Sequence, residues 1–325
     1  IVSLGFSAPV WAEQKVPQSQ MEIQLSFVPL VKQAAPAVVN IYATRVTEAR
    51  GNSFLDDPFF QRFFEGAAPE PRAQNSLGSG VILSPNGIVV SNYHVVGMAT
   101  DIRVVLNNRR EYSARVLLGD EASDLAILQL EDASDLPSLA LRTSDDVQVG
   151  ELTLAIGNPF GVGQTVSSGI ISGLARSGGS DGNGTGYFIQ TDAPINPGNS
   201  GGALVDMAGR LIGINTSILT RSGGSNGIGF AIPSDLVAEF VNQAKAGSDR
   251  FHRAWAGVSG QVLDYDMAAS FGLDRSGGVI ITDFHPASPF RTVGFEVGDV
   301  ITAVDGQPVI SGGEMLFRMS VGGIG

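Results

Sequence analysis

The sequence contains no cysteine, and charged and aromatic side chains are scarce. Of 325 residues, none is cysteine, 7% are aromatic and 16% are charged. The absence of cysteine excludes disulfides, thiol nucleophiles and zinc–thiolate sites. A hydrophobic fraction of 43% beside so few charges is typical of a folded chain, and the length predicts two or three domains.

Basic residues and long apolar runs are also rare. Twenty Lys and Arg stand against 32 Asp and Glu, giving a net charge of -12, so we predict no nucleic-acid partner.

The apolar N-terminus turns polar after Ala12. We interpret residues 1–12 as the remnant of a secretory signal peptide, with an apolar tail without function or the end of a membrane anchor as the alternatives. No later run is long and apolar enough to span a bilayer.

Glycine, in contrast, is abundant, with 42 residues. Many short apolar runs follow one another between turn residues, and at least ten of them are predicted strands. Barrels or a sandwich are therefore expected, and the lack of alternating long helices argues against a parallel α/β sheet. One amphipathic helix, "PSDLVAEFVNQAKA", is predicted at the end of this region, with Ser234 as its N-cap.

A glycine-rich pentapeptide, Gly198-Asn199-Ser200-Gly201-Gly202, fits three interpretations. It is compatible with the nucleophile elbow of an α/β-hydrolase, with the serine loop of a chymotrypsin-like protease, and with a plain turn. The elbow requires a helix after the serine, whereas this chain continues with two strand-like runs. The pentapeptide alone leaves the other two interpretations open.

Residues upstream favour the protease. Its order is His, Asp, Ser, divided between two antiparallel barrels. His94 is the single histidine before Ser200, and Asp124 lies at the start of an apolar run. Asp124 would orient the imidazole of His94, and His94 would accept the proton of Ser200. The N–H groups of Gly198 and Ser200 would bind the developing oxyanion.

The runs "SNYHVV", "SDLAILQL", "TDAPINPGNSGGALVD" and "GIGFAIPSDLV" resemble the protease domain of the HtrA/Deg serine proteases, in particular the periplasmic DegP/DegQ-like branch. The resemblance implies a mostly β fold, the trypsin-like double β-barrel, with His94, Asp124 and Ser200 as catalytic residues. It also implies an ATP-independent periplasmic endopeptidase that degrades unfolded or misfolded proteins and forms a homotrimer or a higher oligomer. No metal or other cofactor is implied.

The substrate pocket is predicted from the same resemblance. Pro194 occupies the position, six residues before the serine, where trypsin-like proteases selective for Lys or Arg carry an aspartate. Ile195, Ile218 and Ile228 would line the pocket. Such a pocket favours small or medium apolar P1 residues, because an unpaired basic group would be costly there.

The C-terminal part resembles PDZ domains through the run "GFEVGDVITAVDG". Trp255, Ala256, Gly257 and Val258 would form its carboxylate-binding loop, which receives peptides with apolar C-termini beside the next strand. The alternative is a packing module without a ligand. The sequence stops soon after the helical run "GGEMLFRMSV", so the PDZ domain is expected to be truncated.

The predicted organisation has four parts. They are the signal-peptide remnant at 1–12, a protease domain at 13–247 with a long loop at 46–78, a linker at 248–253 and the PDZ domain at 254–325. Regulation through the PDZ domain is expected. Two other functions stay open: a chaperone or peptide-binding protein with a latent protease site, and a membrane-anchored regulatory protease.

Overall fold

The structure is a computed structural model, and it describes residues 26–46, 73–158, 163–176, 187–196, 198–218, 227–272 and 276–322. The predicted signal-peptide remnant and most of the predicted 46–78 loop lie outside these ranges. No helix within the described ranges is long and apolar enough to cross a membrane.

Six antiparallel strands close the first barrel in the order β1-β2-β3-β6-β5-β4. The strands are β1 Val38–Val46, β2 Ala73–Ile82, β3 Ile88–Ser91, β4 Asp101–Val105, β5 Glu111–Asp120 and β6 Leu125–Leu130. Helix α1 (Val28–Ala34) precedes β1, and the single-turn helix α2 (Tyr93–Val96) follows β3. Apolar β-branched residues dominate the strands that pack inside the barrel, as expected for a pleated and buried surface.

The second barrel repeats this design in the order β10-β11-β12-β9-β8-β7. The strands are β7 Leu152–Gly157, β8 Thr165–Arg176, β9 Phe188–Thr191, β10 Ala203–Asp206, β11 Leu211–Ile218 and β12 Gly229–Pro233. Helix α3 (Ser234–Lys245) follows directly. The predicted mostly β, trypsin-like double barrel is therefore confirmed.

Two local predictions need correction. Strand β2 begins at Ala73, inside the predicted 46–78 loop, because the backbone of its first four residues pairs with the end of β1, from Val46 with Ala73 to Ala43 with Ser76. The N-cap of α3 is Pro233 and not Ser234. The hydroxyl of Ser234 lies within 3.0 Å of the hydroxyl of Ser144 and also donates to the carbonyl of Arg142, both of them distant in sequence.

The segment after α3 is docked onto the helix. Phe251 is buried and stacks on Phe240 of α3, with ring centroids 3.9 Å apart. Gln243 accepts from the N–H of His252 at 2.8 Å and donates to its carbonyl at 2.9 Å. The predicted linker at 248–253 is therefore held against α3, and Arg253 also forms an ion pair with Asp120 at the end of β5.

A smaller unit follows, with its own apolar core. Its strands are β13 Val258–Val262, β14 Val279–Phe284, β15 Val300–Ile301, β16 Ala303–Val304 and β17 Gln307–Pro308. Its helices are α4 Tyr265–Ser270, α5 Pro289–Thr292 and α6 Gly312–Val321. Helix α6 packs near α3, where Phe317 stacks on Tyr187 at 4.0 Å and Arg318 forms an ion pair with Asp145.

A buried arginine fixes the segment that joins the two barrels. The guanidinium of Arg142 makes a bidentate pair with Glu151, at 2.6 and 2.9 Å, and lies 3.4 Å from Asp206. The hydrogen bonds from Arg142 are the main cause that holds the pKa of Glu151 below its usual range. The backbone of Arg142 also donates to Leu211 in β11. The Arg142–Glu151 ion pair and this backbone hydrogen bond therefore hold the segment between the two barrels against the second barrel.

Replacing Glu151 by glutamine is expected to lower the free energy of unfolding at pH 7 by about 1–3 kcal/mol, because a charge-assisted bidentate pair is lost. A depressed carboxylate pKa stabilises the fold above the unfolded-state value of about 4.3, and this contribution disappears as the pH falls through the folded-state pKa. Urea unfolding of both proteins between pH 7 and pH 3 should show the difference shrinking with acid. The exposed control Glu131→Gln should show no such trend, and a pH-independent deficit in Glu151→Gln would contradict this account.

Candidate active site

His94 and Asp124 meet at the rim of the first barrel. His94 lies on α2, directly after β3, and Asp124 ends the turn that leads into β6. The Nδ1 atom of His94 lies 2.9 Å from Oδ1 and 3.0 Å from Oδ2 of Asp124. The backbone N–H of His94 also donates to Oδ1 at 3.0 Å. These contacts fix the ring orientation and leave Nε2 as the nitrogen available for a substrate-side proton.

The backbone at Asp124 adopts a left-handed conformation. Its φ is 51°, in the left-handed region that residues other than glycine seldom adopt. The side-chain amide of Asn92 donates to the carbonyl of Asp124 at 3.0 Å and holds the turn from the other side. Non-glycine residues in such conformations cluster at functional sites.

Thr216 on β11 connects the two barrels at this site, and sequence reasoning missed it. Its hydroxyl donates to Oδ2 of Asp124 at 2.6 Å, and its carbonyl accepts from the hydroxyl of Ser200 at 3.0 Å. The only signal in the sequence is a buried threonine in an apolar strand, which ordinarily indicates packing. Thr216 belongs to the site because its hydroxyl bonds to Asp124 of the other barrel, and a local sequence pattern does not reveal such a contact.

Ser200 lies in the loop between β9 and β10, close to Thr216. The structure thus brings His94, Asp124 and Ser200 into one hydrogen-bonded group through Thr216. Among the described residues, no hydrogen bond joins Nε2 of His94 to Oγ of Ser200, because that hydroxyl donates to Thr216 instead. To present its proton to an imidazole, the Ser200 hydroxyl would have to leave the carbonyl of Thr216.

The two predicted oxyanion donors flank Asn199. Gly198 has a φ of 87°, which glycine adopts without the steric cost that a Cβ would bring. Neither the N–H of Gly198 nor that of Ser200 donates a backbone hydrogen bond to another residue that the structure describes. Within the described part of the chain, both N–H groups are therefore without a backbone acceptor.

The predicted pocket residues belong to the second barrel. Ile195 is buried, with 1% of its surface exposed, and its Cδ1 lies 2.7 Å from where a Cβ on Gly229 would sit. Ile228 is half-buried beside Gly229. The backbone of Ile218 pairs with Gly229, while its side chain is outside the described part. Ile195 and the backbone of Ile218 thus both lie beside Gly229, and Ile228 precedes it in the chain.

The predicted carboxylate loop leads into β13 of the smaller unit. Trp255 is half exposed and packs edge-on against His285, while Ala256 is buried. Gly257 has a φ of 63°, and its carbonyl accepts from the N–H of His285 at 2.8 Å. Within the described ranges, the N–H groups of Ala256 and Gly257 donate no backbone hydrogen bond. The loop therefore offers unused donors at the start of a strand.

Comparison with known proteins identifies the family and agrees with the fold. Residues 78–214 match the trypsin-like peptidase domain, and residues 254–322 match the PDZ domain. The periplasmic pH-dependent serine endoprotease DegQ of Escherichia coli is 40% identical over 98% of this chain and 70% of its own length. A relative from Haemophilus influenzae, named as a periplasmic serine protease do/HhoA-like, is 41% identical over the whole chain and 72% of its own length. The chain belongs to the HtrA family of serine endoproteases.

Solved HtrA structures show the same architecture. The HtrA-type protease AlgW, in a structure with a decapeptide, is 42% identical and superposes with a TM-score of 0.68, covering 91% of this chain and 90% of that one. A DegP-like periplasmic relative from Pseudomonas fluorescens is 41% identical, and this chain covers 63% of its length. The chain thus spans about two thirds of the length of the curated relatives it matches.

Proposed function

We propose that this HtrA chain is an ATP-independent periplasmic serine endopeptidase of protein quality control, which degrades unfolded or misfolded proteins. The observation that carries the proposal is the continuous set of hydrogen bonds from His94 through Asp124 and Thr216 to Ser200. The relatives named above are periplasmic serine proteases, which supports both the chemistry and the compartment.

The proposed chemistry begins when the Ser200 hydroxyl turns from Thr216 to Nε2 of His94. Its oxygen attacks the scissile carbonyl carbon, and its proton passes to Nε2. The imidazolium is stabilised by the carboxylate of Asp124, and the carbonyl oxygen, now negative, accepts from the N–H groups of Gly198 and Ser200. The C–N bond then breaks as His94 returns the proton to the leaving amine. Water releases the acyl group from Ser200 by the same steps.

Substrate preference is proposed to follow from the apolar pocket around Ile195, Ile218 and Ile228. Pro194 places no negative charge six residues before the serine, so a basic P1 side chain would be buried without a partner. Valine, isoleucine, leucine and alanine at P1 are therefore favoured over arginine. Faster cleavage after arginine than after valine would contradict the pocket assignment.

Ile195→Ala is expected to raise the ratio of kcat/KM for leucine or phenylalanine at P1 to kcat/KM for valine at P1 by about tenfold. The reason is that the smaller side chain enlarges the pocket beside Gly229. A set of fluorogenic peptides that differ at P1 alone measures this ratio. Ile212→Ala removes an equally buried isoleucine from the same core and is the matched control. That control should lose stability and keep the P1 preference; the same shift in both variants would refute a specific role of Ile195.

The PDZ unit is proposed to bind peptides with apolar C-termini and to regulate the protease. The unused N–H groups of Ala256 and Gly257 at the start of β13 support this, since peptide carboxylates bind such loops and the peptide adds to the adjacent strand. The AlgW structures contain a decapeptide and a tripeptide, which agrees with peptide binding in this family. A homotrimer or a higher oligomer is part of the same proposal.

A second candidate, a chaperone or peptide-binding protein whose protease site is latent, is favoured by one observation. The Ser200 hydroxyl is engaged by Thr216 and not by His94. Incubating the chain with unfolded casein and no nucleotide, with and without a peptide of apolar C-terminus, separates the two. Casein fragments under either condition support the protease, whereas suppressed aggregation without fragments supports the chaperone.

A further inference from the structure

We propose that Ser79 is a positioning residue that holds the Ser200 loop in the conformation that binds the oxyanion. This rests on the proposed protease function and adds to it a residue outside the sequence motif. Ser79 lies on β2 of the first barrel and is fully buried, whereas the loop belongs to the second barrel. Its bonds therefore cross the barrel interface.

Ser79 contacts the loop on both sides of Asn199. Its hydroxyl donates to the carbonyl of Gly198 at 2.6 Å, and its backbone N–H donates to the carbonyl of Ser200 at 2.9 Å. Gly198 and Ser200 are the residues whose own N–H groups are the proposed oxyanion donors. One residue thus fixes the carbonyls of both donor residues.

Ser79 is itself held from three directions. The N–H of Asn158 donates to its hydroxyl at 2.8 Å, so the hydroxyl is both donor and acceptor and its rotation is fixed. The hydroxyl of Ser91 donates to its carbonyl at 2.8 Å. A Cβ on Gly201 would lie 2.1 Å from that same carbonyl, so the loop packs directly against the Ser79 backbone.

These contacts restrict the backbone of the Ser200 loop at the two residues whose N–H groups are the proposed oxyanion donors. Two peptide units meet at Gly198, a residue with little steric restraint of its own. The hydrogen bond from the Ser79 hydroxyl holds the peptide group between Gly198 and Asn199. The bond from the Ser79 N–H holds the carbonyl of Ser200. Oxyanion donors act well only when they are already aimed at the position of the developing charge. Removal of the Ser79 hydroxyl should therefore weaken transition-state binding more than substrate binding.

The test compares Ser79→Ala with the unmodified chain on a peptide with valine at P1. We expect kcat to fall about 10- to 30-fold, less than the loss on deleting a donor outright, with KM changed less than twofold. The inhibition constant of a matched peptide boronic acid, whose boron bonds to Ser200 Oγ and becomes tetrahedral, should rise by the same factor as kcat/KM falls.

Thr153→Val is the control. Thr153 is equally buried, and its hydroxyl donates to the carbonyl of Val205 at 2.8 Å, away from the Ser200 loop. This variant should lose comparable thermal stability and keep kcat and the boronate inhibition constant. Unchanged kcat in Ser79→Ala, or a reduced kcat with unchanged boronate binding, would overturn the positioning role.

Ser79→Cys retains a weak donor of similar shape and is measured alongside, in case the alanine variant does not fold. An intermediate kcat supports the proposal, and a kcat equal to that of the unmodified chain overturns it. An unmodified chain that neither hydrolyses peptides nor binds the boronate would overturn the proposed function and the role of Ser79 together. An active chain with an equally active Ser79→Ala variant would overturn the role of Ser79 alone.

Discussion

Ser200→Ala is expected to lower kcat for peptide hydrolysis by at least about 10⁴-fold, because the proposed mechanism requires the Ser200 hydroxyl to form the acyl intermediate. Among the described residues the hydroxyl makes one hydrogen bond, to the carbonyl of Thr216, so its removal should leave stability almost unchanged. Hydrolysis of a valine-P1 peptide and of unfolded casein, followed at matched protein concentration, measures the loss. Thermal unfolding checks that the fold is retained.

Ser270→Ala, an exposed serine at the end of α4, is the matched control and should keep full activity. The loss in Ser200→Ala should be the same at every substrate concentration, because the missing group reacts and does not bind. Casein degradation at an undiminished rate in Ser200→Ala would show that another residue carries the chemistry and would end the assignment of this site.

Asp124→Asn is expected to lower kcat by about 10³- to 10⁴-fold with little change in KM. The backbone N–H of His94 can only donate, whereas the hydroxyl of Thr216 can also accept, so the amide oxygen stays at the Oδ1 position. The amide NH2 then takes the place of Oδ2, 3.0 Å from Nδ1 of His94. A donor at that place favours the tautomer with its proton on Nε2, which cannot accept from Ser200. The negative charge that stabilises the imidazolium is lost as well.

Glu121→Gln removes a carboxylate from the same turn and is the control, since the side chain of Glu121 is exposed. It should change kcat less than twofold. Steady-state kinetics on a valine-P1 peptide gives both parameters for each variant. If Asp124→Asn kept more than a tenth of the kcat, the carboxylate would have no essential part in orienting His94.

The sequence was sufficient for the architecture. Short apolar runs between glycines and other turn residues predict barrels or a sandwich, and the resemblance to the HtrA/Deg proteases implies the double barrel, which the structure confirms. The amphipathic run after Pro233 likewise predicts α3. The prediction of Ser234 as the N-cap of α3 was wrong, because its hydroxyl bonds to Ser144 and Arg142. Both partners are distant in sequence, so the local sequence gives no sign of them.

The candidate site was predictable only where chemistry coincides with a motif. Residue type and order are sufficient to single out His94, Asp124 and Ser200. Their catalytic roles remain predictions. Thr216 and Ser79 could not be found this way, because a threonine and a serine in strands look like ordinary packing residues. Their contacts are with residues of the other barrel, so the closure of both barrels creates the interactions.

The most direct test of the central claim is labelling with a fluorophosphonate probe, followed by mass spectrometry of the labelled peptide. The account predicts one covalent adduct, on Ser200, that forms faster when unfolded casein or a peptide with an apolar C-terminus is present. It also predicts much slower labelling in Asp124→Asn. Labelling at another serine, or no labelling of Ser200 under any of these conditions, would contradict the account.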